Sequence, residues 1–478
     1  MGRIPLSSPQ LRQSLLWPGF DSGNSASLEG VPDIMNARFV NRLSLCSAIS
    51  IGLGVSTGHP VGVIAAAGMP LACLIPGTRK AAFKSSLAYY LAGLWPMVPG
   101  LDRYLGQSVS PFIPVTLWVL TGAILSAPWA IVWTSGRHVH YLWRVPLALL
   151  ATAVPPLGII GFISPLTAAG YLFPGTAWFG LMAIALLPAI LLSMHSLDLR
   201  RRSALLLLVT TVGVGLAVCG RVVSPGNAKS IPGWMAVNTY FGDVSRPFQA
   251  FVAARYIQSK AAATSARVLI FPEAVVPRWS DATAAFWHES LDHCRAGGQI
   301  LVVGAGLPAK TESEPEDRER LRALQSYDFG AALDVLKGID KQSVPGIESP
   351  VTPNMLNGPF PDRIENAALI LGMESATFYQ RVPVPIGMWR PFSKDGVPLR
   401  LWAPGVLAID HQRTALLICY EQMLVFPVLA SMLRHPSVIV GLSNTFWFDG
   451  TTVPRYQATA LRAWAKLFHL PFFSAVNS

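Results

Sequence analysis

Between positions 41 and 220 only twelve of 180 side chains carry a charge, ten basic and two acidic. The other 298 residues of the 478-residue chain carry 51, so a charge-starved front is followed by a more ordinary back. Overall 13% of residues are charged and 51% hydrophobic, against about 25% charged in soluble domains. Such a front cannot cover itself in water. That excludes disorder, a collagen-like repeat and a coiled coil, and makes a membrane domain the first expectation. The net charge of +11 comes mostly from basic residues between apolar runs, not from one basic face. No nucleic-acid partner is therefore expected. Cys46, Cys73, Cys219, Cys294 and Cys419 form neither a disulfide framework nor a metal-binding spacing. No cofactor and no metal are expected.

Residues 1–40 are rich in Ser, Gly and Pro and lack a signal-peptide pattern, which predicts a mobile cytoplasmic tail. Apolar runs follow near 43–58, 60–77, 86–101, 111–134, 142–163, 175–193 and 203–220. Several are shorter than the roughly 20 residues a span needs. The first two, broken at Gly58-His-Pro60, read as a shallow hairpin, so the expectation for 41–220 is a polytopic helical domain of six to seven spans. Alternate connections carry Arg79, Lys80 and Lys84, then Arg137 and Arg144, then Arg200, Arg201 and Arg202. Between them Asp102 and Arg103 cancel. By the positive-inside rule this puts the amino terminus in the cytoplasm and, with seven spans, residues 221–478 outside it. Tyr89, Tyr90 and Trp95 read as packing residues. The uncharged, Gly- and Pro-containing loop 164–178 is expected at the membrane surface beneath the outer domain.

From about residue 250 short β-rich runs alternate with helical stretches. Strands are predicted at 267–271, 300–303, 367–371, 438–442 and 472–476, and a hairpin at 405–409 and 415–418. Helices are predicted at 281–294, with Asp281 as N-cap and Gly297-Gly298 as stop, and near 458–468. The charged stretch 310–342 reads as a solvated insertion. Strands alternating with helices and hairpins indicate a layered α/β or α+β domain.

Two side chains with chemical potential end buried strands: Glu273 in Phe271-Pro-Glu-Ala274 and Cys419 in Leu417-Ile-Cys-Tyr-Glu421. A thiol reacts as its thiolate and needs a base beside it; a cation or other donor must then hold the developing oxyanion. Taken singly, a strand-end cysteine is most often inert core and a strand-end glutamate a surface cap. There is no GxSxG or HExxH motif, and no His in a Cys-His arrangement.

Taken together, the segments form a recognisable series. Phe271-Pro-Glu-Ala-Val-Val-Pro277, Asn366-Ala-Ala-Leu-Ile-Leu-Gly372, Ile418-Cys-Tyr-Glu421, Gly441-Leu-Ser-Asn-Thr-Phe-Trp-Phe448 and the helix from Gln457 through Arg462 resemble, in order, motifs of the carbon–nitrogen hydrolase (nitrilase) superfamily. With its preceding spans, and Leu87-Ala-Tyr-Tyr-Leu-Ala-Gly-Leu-Trp95 among them, the chain resembles apolipoprotein N-acyltransferase and, within that group, the TraB family of conjugal plasmid transfer. The resemblance implies a four-layer αββα nitrilase-like domain over 221–478, cut short at its C-terminus, near Asn477, where the family adds strands and a final span. It also implies a multi-pass inner-membrane location with that domain in the periplasm. Glu273 is then the general base and Cys419 the nucleophile.

The family lysine is absent. In Phe378-Tyr-Gln-Arg-Val-Pro-Val-Pro-Ile-Gly-Met388, Gln380 takes its place without a gap, and Met388 replaces a glutamate; with one residue deleted, Arg381 takes it. Arginine keeps the charge but not a lysine's compact, titratable ammonium. Lys394 is a further cation, and Trp389, Phe392 and Trp402 read either as an apolar lid touching the membrane or as core packing. Three readings follow. The first is a Cys-thioester acyltransferase using Glu273, Cys419 and Arg381, with membrane phospholipid as acyl donor and a lipoprotein or other conjugation-machinery protein as acceptor. The second is a catalytically impaired assembly or maturation factor of that machinery. The third, weaker, is a small-molecule amidase, which needs no membrane anchor.

Overall fold

The computed structural model describes residues 30–105, 110, 112–135, 138–194, 199–223, 230–308, 364–391 and 396–478. The expected tail up to residue 29, the insertion at 310–342, and Arg137, Phe392 and Lys394 lie outside the described residues.

Helix α1 (Gly30–Ser56) begins ahead of the tail boundary expected at 40. It turns at Gly58 and His59 into α2 (Pro60–Ala65), whose first turn is capped by His59 accepting the Val61 N–H at 3.3 Å. The expected hairpin forms here. Its second arm is a broken helix, a 3-10 turn at Ala66–Gly68 leading into α3 (Met69–Leu74). The run at 86–101 divides into α4 (Arg79–Leu94) and α5 (Met97–Leu105) at Pro96, which has no N–H to continue the helical ladder. Next come α6 (Phe112–Val132), α7 (Tyr141–Ala153), the short α8 (Ala169–Leu172), α9 (Trp178–Ser193) and α10 (Leu199–Val223). Pro155 and Pro156 follow the end of α7, which is why the run at 142–163 yields only a short helix. Three stretches among the described helices are long and apolar enough to cross a membrane by length and composition: Ala37–Ser56, Phe112–Val132 and Leu205–Val222. The stretches Pro60–Leu74, Tyr141–Ala153 and Trp178–Ser193 are apolar but shorter.

Two sheets follow. The first runs in the order β1 (Trp234–Ala236), β2 (Val268–Ile270), β3 (Ile300–Pro308), β4 (Ile364–Gly372) and β5 (Ala376–Tyr379). Its first three strands are parallel, and β4 and β5 add antiparallel. The second is β6 (Val406–Ile409), β7 (Gln412–Ile418), β8 (Val438–Asn444) and β9 (Phe472–Asn477), in which β6 is antiparallel to the parallel trio.

Side chains alternate along each strand, so every inner strand serves two cores. Ile300 and Val302 of β3 meet Leu416 and Ile418 of β7 and Val440 and Leu442 of β8 in one cluster between the sheets. Leu301 and Val303 point the other way, onto Ile257 of α11 (Pro247–Ala262) and Trp287 of α12 (Asp281–Ala296). Ala415 and Leu417 point onto Leu461 and Trp464 of α14 (Val453–Phe468); α13 (Val425–Met432) packs into the same cluster through Val425 and Val428. Ser280, not Asp281, caps α12. Its hydroxyl accepts the Thr283 N–H at 3.3 Å, leaving the Asp281 carboxylate in the first turn, where the helix dipole favours it.

The helical half and the α/β half share that last core, which runs from Tyr89, Trp129 and Ile163 to Tyr420, Met423 and Trp464. The loop at 164–178 lies inside this junction. Pro165, Leu166, Thr167, Ala168, Ala169 and Gly170 are all buried. The Gly175 and Ala177 N–H groups donate to the Lys466 and Leu467 carbonyls of α14 at 2.8 and 2.9 Å. The loop is uncharged because its backbone pairs with a helix end and not with water.

Candidate active site

β2 and β7 end side by side across the core between the sheets, and each delivers one reactive group. After β2 the chain passes Phe271 and Pro272 to Glu273, which is 6% exposed. Its Oε1 accepts the Asn366 side-chain N–H at 2.5 Å and its Oε2 accepts the Asn444 backbone N–H at 2.8 Å. After β7 the chain bends at Cys419, which has φ +51°, a left-handed conformation that costs a residue with a Cβ of the order of 1–3 kcal/mol and is over-represented at functional sites. The bend carries the half-buried thiol out of the strand's alternation and beside the Glu273 carboxylate, where each group shifts the other's titration.

Burial pushes the Glu273 carboxyl up to about 6, although its hydrogen bonds with Cys419, Asn444 and Asn366 pull the other way. Burial and then the Glu273 charge raise the Cys419 thiol well above its ordinary value, against the backbone N–H groups of Asn444 and Tyr420, which favour the thiolate. Near neutral pH the resting pair is therefore carboxylate and thiol. This is the arrangement in which a base holds a nucleophile's proton until a carbonyl arrives.

The elbow is braced from three sides. Gln457 of α14 donates to the Cys419 carbonyl at 2.7 Å and to Ser443 Oγ at 3.0 Å. Gln422 donates to the Leu417 and Leu442 carbonyls and to Ser443 Oγ at 3.2, 3.1 and 2.8 Å. Glu421, fully buried, accepts the Ile418, Arg381 and Val382 N–H groups at 3.1, 2.5 and 2.9 Å.

The structure separates the two substitutes for the missing lysine. The β4–β5 register, Ala367 opposite Tyr379, continues one step, with the Gln380 N–H donating to the Asn366 carbonyl at 2.9 Å. Gln380 therefore lies on the same face as Asn366. Its Oε1 accepts from Asn366 Nδ2 at 3.1 Å, and its Nε2 donates to the Ile418 carbonyl beside the nucleophile at 3.2 Å. Arg381, one residue on, faces away from Asn366. Its guanidinium is 1% exposed, with Nε 3.6 Å from Glu421 Oε1. The guanidinium expected to steady an oxyanion at Cys419 thus lies beside Glu421 and not beside Asn366, because adjacent residues of an extended segment point to opposite sides.

Of the expected apolar lid, Trp389 packs half-buried against the junction core, while Trp402 is 81% exposed and stands edge-on to Phe426. Asn366 and Gln380, which join the two loops of the site, carried no signal beyond their place in the motifs. Among the described residues no three His, Cys, Asp or Glu side chains converge as a metal site would require.

No family model matches the chain. Two curated proteins are similar over 91% of it. One is a probable conjugal transfer protein TraB of Sinorhizobium fredii, 25% identical, with 98% of its own length covered. The other is conjugal transfer protein TraB of Agrobacterium fabrum, 27% identical, with 93% covered. Among solved structures, two mutants of the Nesterenkonia AN1 amidase, a nitrilase-superfamily protein, align with 51% and 52% of this chain and 74% and 79% of theirs. Both are 15% identical, with TM-scores of 0.29 and 0.30.

Proposed function

We propose that this protein is a membrane-anchored cysteine acyltransferase of the nitrilase type that serves conjugal plasmid transfer. The observation that carries the chemistry is the buried Glu273 carboxylate facing the Cys419 thiol at a strained strand end, held there by Asn366 and the Asn444 N–H. Cores between the two sheets and on their outer faces support a four-layer αββα domain. The likeness to TraB proteins supports the conjugation setting. The three long apolar helices, the shorter ones beside them and the alternating basic connections support a multi-pass inner-membrane protein whose α/β domain faces the periplasm.

In this reading Glu273 takes the thiol proton as sulfur attacks the carbonyl carbon of an ester. The ester C–O bond breaks, Glu273 returns the proton to the departing alkoxide, and the acyl group remains on Cys419 as a thioester. An amine then attacks the thioester carbonyl and loses a proton through Glu273, and sulfur leaves as the restored thiol. Outside the cytoplasm no ATP is available to activate a fatty acid, so the donor is an ester already made. A phospholipid of the adjoining bilayer meets that need, and a lipoprotein or other protein amine of the conjugation machinery is the acceptor.

One observation favours a second reading, a catalytically impaired assembly factor. The position beside Asn366 and Ile418 holds neutral Gln380 instead of a cation. Intact-protein mass spectrometry separates the two. A fatty-acyl mass on the wild type, absent from Cys419→Ala, is expected for the enzyme. An unmodified thiol in phospholipid, together with normal conjugation by Cys419→Ala, rules the enzyme out.

A further inference from the structure

The helical half sends one side chain between two loops that flank the Cys419 site. Helix α5 lies on the 3-10 turn Phe446–Phe448, which begins two residues after Asn444, the donor to Glu273. Gly100 allows the contact, since a Cβ there would sit 2.0 Å from Phe448 Cδ1. Arg103 donates to the Asp449 carbonyl and ties down the end of the helix. Tyr104 then stands edge-on to Trp447, with ring centroids 5.5 Å apart, and Trp447 stands edge-on to Phe446 at 5.1 Å.

On its other side the Tyr104 ring touches the loop that leaves β5. A Cβ on Gly387 would lie 2.5 Å from Tyr104 Cε1. That loop starts at Gln380 and Arg381, which are bonded to Ile418 and Glu421 on either side of the nucleophile. The ring therefore bridges the loop that holds the base and the loop that braces the thiol. Burial, and then the charges of Glu273 and Cys419, raise its phenol to about 12, so the hydroxyl stays neutral and lies within electrostatic reach of both reactive groups. A packing tyrosine need not join two loops of a site while remaining only half-buried itself.

We propose that Tyr104 is a specificity-determining residue of the Cys419 site, its ring setting how bulky a carbonyl compound reaches the thiol. The proposal rests on the reading of Cys419 as a nucleophile, and its test does not depend on acyl transfer. Full-length protein in detergent, with the exposed Cys46 and Cys219 changed to serine, is alkylated with iodoacetamide and, separately, with fluorescein maleimide; modification of the Cys419 peptide is followed by mass spectrometry. Tyr104→Ala is expected to speed the bulky reagent about tenfold while changing iodoacetamide less than about twofold, the scale on which pocket size discriminates. Tyr104→Phe, which keeps the ring, is expected to match the wild type. Gly387→Ala, which displaces the ring without removing it, is expected to change the ratio of the two rates and covers the case in which Tyr104→Ala does not fold.

Equal ratios in the wild type, Tyr104→Ala and Gly387→Ala overturn the proposal. So does a uniform rise with both reagents, which reports a loosened site. Gating by Tyr104 without any acyl group on Cys419 overturns acyl transfer alone, and an acylated Cys419 without gating overturns the role of Tyr104 alone.

Discussion

Glu273 carries its proton more tightly in the folded chain than out of it, with its carboxyl raised from 4.5 to about 6 by burial. As a base it works only when ionised. The alkylation rate of Cys419 should therefore fall about tenfold per unit as pH drops below about 6, a dependence that Glu273→Gln abolishes. The same shift acts on stability with the opposite sign. The contribution of this group is fully present below the ordinary carboxylate value and is lost as pH rises through about 6. Chemical denaturation should show the stability of Glu273→Gln relative to wild type moving in the variant's favour by about 2 kcal/mol between pH 4 and pH 8. Glu273 and Cys419 stand out in the sequence because both follow unbroken apolar strands, but only the resemblance gives them roles. It left Gln380 and Arg381 open, because shifting an extended segment by one residue exchanges its faces. Only the hydrogen bond from Gln380 to the Asn366 carbonyl settles which of them lies beside Ile418.

The elbow after β7 is held by a buried pair, Arg381 and Glu421, at 1% and 0% side-chain exposure. Removing one partner leaves an uncompensated charge in the core. Arg381→Ala should cost of the order of 3–5 kcal/mol in denaturant titrations. Combining Arg381→Met with Glu421→Gln should cost less than the two changes summed, since they act on one interaction. The buried strands at this scale were readable within a residue or two at most ends, as were the hairpin at Asp410 and the helix stop at Gly297. Other elements were not. β1 has three residues and only Trp234 is fully buried, too short a pattern to register. α13 carries Pro427, which suggests a loop until it is seen within the first turn, where its missing N–H has no helical partner to lose. β5 ends in the tract with the altered lysine position, and its register was invisible without β4 beside it.

Across the whole molecule, the change in charge density near residue 220 said nothing of how the two halves meet. Besides the shared apolar core and the Gly175 and Ala177 N–H groups, they meet through backbone carbonyls of one half and side chains of the other. Tyr456 donates to the Phe162 carbonyl at 2.6 Å, Thr459 to Gly58 at 2.7 Å, and Tyr171 in return to Thr459 at 3.1 Å. Such pairings have no sequence signature, because any residue supplies a carbonyl. A close approach is at Gly170, where a Cβ would lie 1.9 Å from the Ala463 carbonyl oxygen of α14. Gly170→Val should therefore force α8 away from α14, lowering the melting temperature and opening the 164–178 loop to protease at a concentration that spares the wild type.

The residue that follows the nucleophile belongs to this junction as well, since the Tyr420 hydroxyl donates to the Ile159 carbonyl in the helical half at 2.8 Å. On the proposed membrane reading, that bond makes the thiol a strain gauge for the lipid around it. Helices answer a thicker or thinner bilayer by tilting, and a tilt transmitted through Ile159 pulls on the elbow that holds Cys419. In phosphatidylcholine vesicles of graded acyl length, the iodoacetamide reactivity of Cys419 should vary with chain length in the wild type, and the variation should flatten in Tyr420→Phe.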